Sequence, residues 1–134
     1  MPDSKTRTQF RRSQGSGLVE AVAIGILIMV ITLALVDLIV LVLANGINDT
    51  AAKNCARAAA NHKEQSKQIQ AAENSLKGSK ASGFITKLTI KDLYPKGGNI
   101  TCITEMRLKL PVPVPGVGAD FVFVAQDTEP IVAQ

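Results

Sequence analysis

Residues 21–44 read AVAIGILIMVITLALVDLIVLVLA, and this stretch decides how the chain is organised. At a helical rise of about 1.5 Å per residue it covers about 36 Å, enough to cross a hydrocarbon core of about 30 Å. Its Leu, Ile and Val residues together favour insertion by about 5 to 10 kcal/mol, whereas Asp37 opposes insertion by about 3 kcal/mol. The stretch is also longer than the apolar region of about 7 to 15 residues in a secretory signal peptide. It therefore predicts one membrane-spanning helix.

The charges that flank this helix predict its orientation. The chain has 134 residues and a formal net charge of +4, from 15 Lys and Arg against 11 Asp and Glu. Residues 1–15 are rich in Lys and Arg, and a basic segment before a first spanning helix is retained on the cytoplasmic side. We therefore expect a single-pass membrane protein with a cytoplasmic N-terminus and an extracytoplasmic domain at residues 46–134.

Composition argues against several classes of function. The chain has one His, two Cys and no Trp, which cannot assemble a zinc cluster of the usual ligand spacing within one chain. The basic residues of 46–134 are spread out and lack interleaved aromatic residues, so we expect a solvated surface and no nucleic-acid partner. No catalytic triad, phosphate-binding loop or carboxylate pair emerges. The sequence therefore predicts a protein that is not an enzyme, with no catalytic residue, metal or cofactor.

An acidic residue stands where the apolar run begins. The segment RRSQGSGLVEAVAIGIL, residues 11–27, places Gly15 shortly before Glu20. A carboxylate that enters the apolar zone of a membrane costs several kcal/mol, so it needs a partner or a function. The alternative is a charge at the level of the lipid headgroups, where the helix N-terminus stabilises an anion by about 0.3 to 1 kcal/mol.

This segment resembles the N-terminus of the type IV pilin superfamily, in which a short basic leader ends in glycine and a glutamate is the fifth residue of the mature chain. The resemblance implies that residues 1–15 are a prepilin-type leader and that an inner-membrane prepilin peptidase cuts between Gly15 and Ser16. It also implies that residues 16–45 form a transmembrane and assembly helix. In a filament, the carboxylate of Glu20 would pair with the exposed α-amino group of its own or a neighbouring subunit, so we expect Glu20 to matter for assembly.

The remainder of the chain is similar to the TadE-like pseudopilins of the tight-adherence (Flp) pilus system. The similarity lies in the alanine-rich INDTAAKNCARAAANHKEQ, residues 47–65, and in LKLPVPVPGVGADFVFVAQDTEPIV, residues 108–132, which includes the late Glu129. The chain departs from the family at Ala21, where an aromatic residue is common, and at Asp37.

The resemblance implies a minor, pseudopilin-like structural subunit of a pilus used in adhesion or secretion. Major Flp pilins are little more than the helix, whereas this chain adds a domain. The implied location is the inner membrane, and the cell surface when the subunit is assembled. The implied partners are other pilin subunits, the prepilin peptidase, the inner-membrane assembly platform and membrane lipid.

An acid within the apolar helix has two interpretations. Asp37 lies about 25 Å along the helix from Ala21, so its side chain can reach the outer headgroups. Alternatively, it forms a polar contact that fixes the register with another pilin helix or with the platform protein.

The pattern that follows predicts that the helix continues beyond the membrane. Over residues 47–76, apolar side chains repeat every three or four positions and face one way. These residues are Ile47, Ala51, Cys55, Ala58, His62, Ile69, Ala72 and Leu76. In this pattern His62 is a packed core residue.

Three strand-like runs come next, with turn residues at Lys96–Asn99 between the first two. The runs cover residues 84–93, 99–110 and 119–125. Pro111, Pro113 and Pro115 cannot supply ladder hydrogen bonds, so they predict a stiff connector, with a PxxP-type ligand as the alternative. The sequence therefore predicts an α+β fold: a long N-terminal helix, transmembrane in its first half, with a small three-stranded antiparallel sheet packed on its second half.

The two cysteines fall on faces that would meet. Cys55 lies on the apolar stripe of the helix and Cys102 on the apolar face of the central strand, so both point to the same core. In an oxidising, exported location such a pair is usually bonded, and closing the loop of residues 56–101 contributes about 4 kcal/mol. The alternative is two buried free thiols.

Two other functions stay open. The first is a signal-anchored envelope protein with a small extracytoplasmic binding domain, which predicts no cleavage at Gly15 and no effect of Glu20 substitution. The second is a type II secretion pseudopilin, which shares the leader and the helix. The proline-rich C-terminal end resembles the tight-adherence family better.

Overall fold

Two helices precede three strands along the chain. The structure, a computed structural model, describes residues 6–78, 83–112, 118 and 120–132, with side chains from residue 17 onward. The elements are α1 at Thr6–Ala60, α2 at Gln65–Lys77, β1 at Ile85–Lys96, β2 at Asn99–Lys109 and β3 at Asp120–Pro130. A long apolar helix with a three-stranded antiparallel sheet confirms the predicted α+β fold, and α2 is an additional short helix.

The three strands form one antiparallel sheet in the order β1-β2-β3. The turn between β1 and β2 is Gly97–Gly98, with φ of 60° and 82°, and Lys96 pairs with Asn99 across it. Glycine favours this turn because positive φ carries little steric cost without a Cβ. The predicted hairpin is therefore confirmed.

β3 extends further than the predicted run of 119–125. Its pairing with β2 continues to Asn99 opposite Pro130. The hydroxyl groups of Thr101 and Thr128 are 3.0 Å apart in this polar part of the ladder. Cross-strand polar pairs stabilise a sheet although they lack an apolar signature, which explains the short prediction.

The predicted continuous helix over 47–76 is wrong at residues 61–64, where α1 has ended and α2 has not begun. The amide of Gln68 donates to the carbonyl oxygen of His62 at 2.7 Å, and the N–H of Val132 donates to the carbonyl oxygen of Ala60 at 3.2 Å. Carbonyl groups near the end of α1 are thus satisfied by Gln68 of the following helix and by Val132, which is remote in sequence. The break also changes the buried face, so Gln68 is buried and the predicted core residue Ile69 is 42% exposed.

The core lies between α1 and the sheet. The helix contributes mostly small side chains and the sheet contributes large ones. The buried helical residues include Ala44, Ala51, Cys55, Ala56 and Ala59, and the buried sheet residues include Leu88, Ile100, Cys102, Met106 and Leu108. The alternation in β2 therefore confirms the predicted half-buried central strand.

The chain divides into two compact units. Residues up to Val36 form the first unit, and residues from Asp37 onward form the second, which holds α2 and the sheet. Of the predicted proline connector, Pro113 and Pro115 lie outside the described residues.

Candidate membrane and assembly site

The N-terminal part of α1 presents a long apolar surface. Within Gly17–Ala60, the most apolar window has a mean hydropathy of 3.2 and only 6% of it is buried. Side chains such as Ile26 and Met29 are 60% and 63% exposed. A soluble protein rarely leaves so much apolar surface uncovered. By length and composition the helix is therefore compatible with a single-pass membrane anchor.

Glu20 interrupts this apolar surface near its start. Its side chain is exposed, and its neighbours Val19 and Val22 are 68% and 54% exposed. Among the side chains that the structure describes, no ion pair involves Glu20. The carboxylate is therefore accessible to a charged group on another molecule or on the part of the chain before residue 17.

The predicted cleavage residues lie just before Glu20. Gly15 and Ser16 belong to the helical backbone of α1, which is continuous from Thr6, and the side chain of Ser16 lies outside the described part of the structure. Cleavage between them stays a prediction. If it occurs, the new α-amino group at Ser16 is one helical turn from Glu20, because residues four apart lie on the same helix face.

Asp37 is enclosed by its own chain. Its residue surface is only 4% exposed, and its Oδ1 accepts a hydrogen bond from the backbone N–H of Val112 at 3.3 Å. Its Oδ2 is buried and has no hydrogen-bond partner among the described residues. The two interpretations from the sequence were contact with headgroups and contact with another helix. The structure shows a third arrangement, in which the acid binds the segment that follows β2.

A second polar contact joins α1 to the sheet. The hydroxyl group of Thr104 donates to Oδ1 of Asn48 at 2.9 Å, and neither residue is exposed. Nδ2 of Asn48 is buried and lacks a partner among the described residues. Such a buried pair fixes the position of the helix along the central strand, because sliding would leave two polar groups without partners.

The predicted disulfide is present in the structure. Cys55 on α1 and Cys102 on β2 are bonded, with their Cα atoms 6.1 Å apart, and both residues are fully buried. The bond therefore links the helix to the central strand within the core. The alternative of two free thiols is wrong for this structure.

A surface ion pair joins the end of α1 to β3. Nε of Arg57 lies 2.9 Å from Oε1 of Glu129, and the two side chains are 61% and 25% exposed. An exposed pair of this kind contributes at most about 1 kcal/mol. The ion pair lies close to the hydrogen bond between Val132 and Ala60, and both contacts hold the chain at the end of β3 against the end of α1.

A groove between α1 and β3 gathers several polar side chains. It has a volume of about 290 Å³ and is lined by Asp49, Thr50, Lys53, Gln126 and Asp127. Lys53 supplies a positive charge among the carboxylates. Within the described residues, no group of three or more His, Cys, Asp and Glu side chains could hold a metal ion.

Reasoning from the sequence missed the polar contacts of the helix, although a signal for them is present. The buried face of α1 includes Asp37, Ala44, Asn48, Ala51 and Cys55, which recur at intervals of three, four or seven residues. Extending the predicted apolar stripe backwards from Ile47 would have placed both polar residues on the face that meets the sheet.

Comparison of the chain with protein-family models, with curated proteins and with solved structures finds no match. Three features of the chain itself bear on its function: the basic segment before Ser16, the exposed acid on the apolar helix, and the disulfide-bonded unit that follows.

Proposed function

We propose that this chain is a minor, pseudopilin-like structural subunit of a tight-adherence (Flp/type IV-like) pilus. In this proposal it is cleaved after Gly15 and assembles through the apolar part of α1. The observation that carries the proposal is Glu20, an exposed carboxylate on an otherwise apolar helix surface, four residues after Ser16. In a simple membrane anchor an acid there gains at most the stabilisation of a headgroup-level charge, about 0.3 to 1 kcal/mol, whereas an assembling helix gains a specific partner for it.

The chemistry of assembly follows from the spacing of Ser16 and Glu20. Cleavage creates a positively charged α-amino group four residues before the carboxylate. When apolar helices leave the bilayer and pack together, each charge loses water and becomes costly unless it is paired. A pair within one subunit neutralises the helix end, and a pair between subunits also fixes their relative position.

The proposed partners are other pilin subunits, the prepilin peptidase, the inner-membrane assembly platform and membrane lipid. The basic residues Lys5, Arg7, Arg11 and Arg12, which precede the apolar part of α1, favour a cytoplasmic N-terminus. The disulfide between Cys55 and Cys102 supports an extracytoplasmic location for the second unit, since such bonds persist in oxidising compartments. In this role the second unit is structural and performs no catalysis.

Substitution of Glu20 by Leu tests the proposal. We expect the variant to be inserted and cleaved normally, because neither step needs the carboxylate, but to be absent from filaments. Gel mobility reports cleavage, and immunoelectron microscopy of surface pili reports incorporation. Glu73→Leu is a matched control, because it removes an exposed carboxylate from α2. Incorporation of Glu20→Leu at the level of the control would overturn the proposal.

A signal-anchored envelope protein with a binding domain is the second candidate, favoured by the outer face of the sheet. Val122 and Val124 on this face are 54% and 52% exposed. A groove of about 410 Å³ beside them is lined in part by Lys87, Arg107 and Phe121. This candidate predicts an uncleaved protein and no effect of Glu20 substitution on its location or stability.

A further inference from the structure

The outward face of α1 remains apolar after the second unit has begun. Leu38, Ile39, Val42 and Leu43, here called the outer stripe, are between 54% and 66% exposed. They belong to the unit that starts at Asp37, and they lie on the face of α1 opposite the core. Such a patch is unfavourable in water, so an apolar partner is expected to cover it.

On the opposite face of α1, the chain after β2 reaches the same level. Leu110–Val112, here called the return segment, contacts Asp37 through the hydrogen bond from the N–H of Val112 at 3.3 Å. At about 1.5 Å per residue, Asp37 lies about 10 Å before Ala44, where the apolar run of α1 ends. The return segment therefore lies beside the apolar part of the helix, about 10 Å before the end of the apolar run.

The composition of the return segment suits lipid better than water. Leu110 is 6% exposed, Pro111 is exposed and has no N–H, and the N–H of Val112 is donated to Asp37. Unpaired backbone N–H and C=O groups make irregular chain costly in a bilayer, and of the three backbone nitrogens in this segment one has no hydrogen and one is paired. The surrounding sequence LPVPVPGVG, residues 110–118, has no charged or hydroxyl side chain.

We propose that the outer stripe and the return segment both lie in the outer interface of the bilayer that α1 crosses, so that the second unit rests on lipid. The outer stripe continues the apolar surface of the anchor, which favours lipid over a second protein as its cover. Asp37 then lies below the membrane surface but is enclosed by its own chain and accepts a hydrogen bond from the N–H of Val112, which lowers the cost of an acid at that depth. The inference requires α1 to cross a membrane and does not require pilus assembly.

Tryptophan scanning of the full chain tests the proposal, because the chain has no Trp of its own. Val42→Trp reports on the outer stripe and Pro111→Trp on the return segment. Ile28→Trp, within the apolar helix, is the membrane reference. Val132→Trp is the water control, because Val132 is 63% exposed and hydrogen-bonds Ala60 at the far end of α1. Because Trp itself prefers membrane interfaces, any quenching of Val132→Trp gives the background that comes from the introduced side chain alone.

Each variant is reconstituted in phosphatidylcholine vesicles with and without acyl-chain bromination, and an intact disulfide on a non-reducing gel confirms folding. We expect brominated lipid to quench Val42→Trp and Pro111→Trp, less than Ile28→Trp because they lie nearer the interface, and to leave Val132→Trp unquenched. Blue-shifted emission of Val42→Trp without quenching would indicate a protein cover and overturn the proposal. Quenching of Pro111→Trp no greater than that of Val132→Trp would also overturn it. Failure to quench Ile28→Trp would show that α1 does not cross the membrane, which would also overturn the proposal. That result differs from a loss of pilus assembly, which this experiment does not measure.

Discussion

Removal of the disulfide between Cys55 and Cys102 should lower the free energy of unfolding of the second unit by about 4 kcal/mol. The bond joins residues 47 apart in sequence. In the chain-entropy model, a loop of this length removes about 14 cal/mol/K from the unfolded chain, or about 4 kcal/mol at 25 °C. A small domain is stable by only about 5 to 15 kcal/mol, so this loss is a large fraction of the total.

Hydrogen–deuterium exchange of the β2 amides measures the loss directly in the full chain in detergent micelles. The comparison is between the oxidised protein and Cys55→Ala/Cys102→Ala, with the chemically reduced parent as the control for lost side-chain volume. Because about 1.4 kcal/mol corresponds to a factor of ten, the slowest amides should exchange about a thousandfold faster. Acceleration of less than about tenfold in both samples would refute the reasoning.

Three further substitutions test other parts of the account. Thr104→Val should destabilise the unit by about 1 to 3 kcal/mol in chemical denaturation, because it strands the side chain of Asn48, while Asn48→Leu/Thr104→Val should recover much of that loss. No recovery in the double variant would contradict a pairwise contact. Arg57→Ala should cost less than about 1 kcal/mol, because its partner Glu129 is partly exposed, and a larger loss would show that the ion pair matters more than its exposure suggests. Gly15→Ala should leave the precursor uncut in a host with the prepilin peptidase, and a shortened product on a gel would contradict the predicted site.

The regular parts of the fold follow from the sequence because their signals are local. Alternating side chains from Ile100 to Leu108 indicate one buried face of β2, and Gly97–Gly98 supplies a turn that few other residues can form. The pairing of Cys55 with Cys102 could be inferred because each residue lies on the apolar face of its own element.

Other features depend on contacts between distant residues, which a local pattern does not contain. Residues 61–64 hold neither Gly nor Pro, so the only local signal for the end of α1 is Asn61, and hydrogen bonds from Gln68 and Val132 accompany it. The partner of Asp37 is likewise remote in sequence, because Val112 is 75 residues away, after α2, β1 and β2. The apolar helix predicts a membrane span but gives no information about which segment covers an acid inside it.

The two acidic residues in the apolar part of α1, Glu20 and Asp37, have different surroundings. Glu20 is exposed and unpaired among the described side chains, which suits a contact with another molecule. Asp37 is buried and bonded within its own chain, which suits a structural role. That both residues interrupt an apolar helix does not separate these roles; the helical spacing of Asp37 with Ala44 and Asn48, on the face that meets the sheet, does.

The intact mass of the non-reduced protein, extracted from its own membranes, tests the central claim most directly. A subunit processed by prepilin peptidase should have the mass of Ser16 to Gln134 less two hydrogens, because the Cys55–Cys102 bond is retained. A full-length mass would contradict processing after Gly15 and would favour a signal-anchored envelope protein instead.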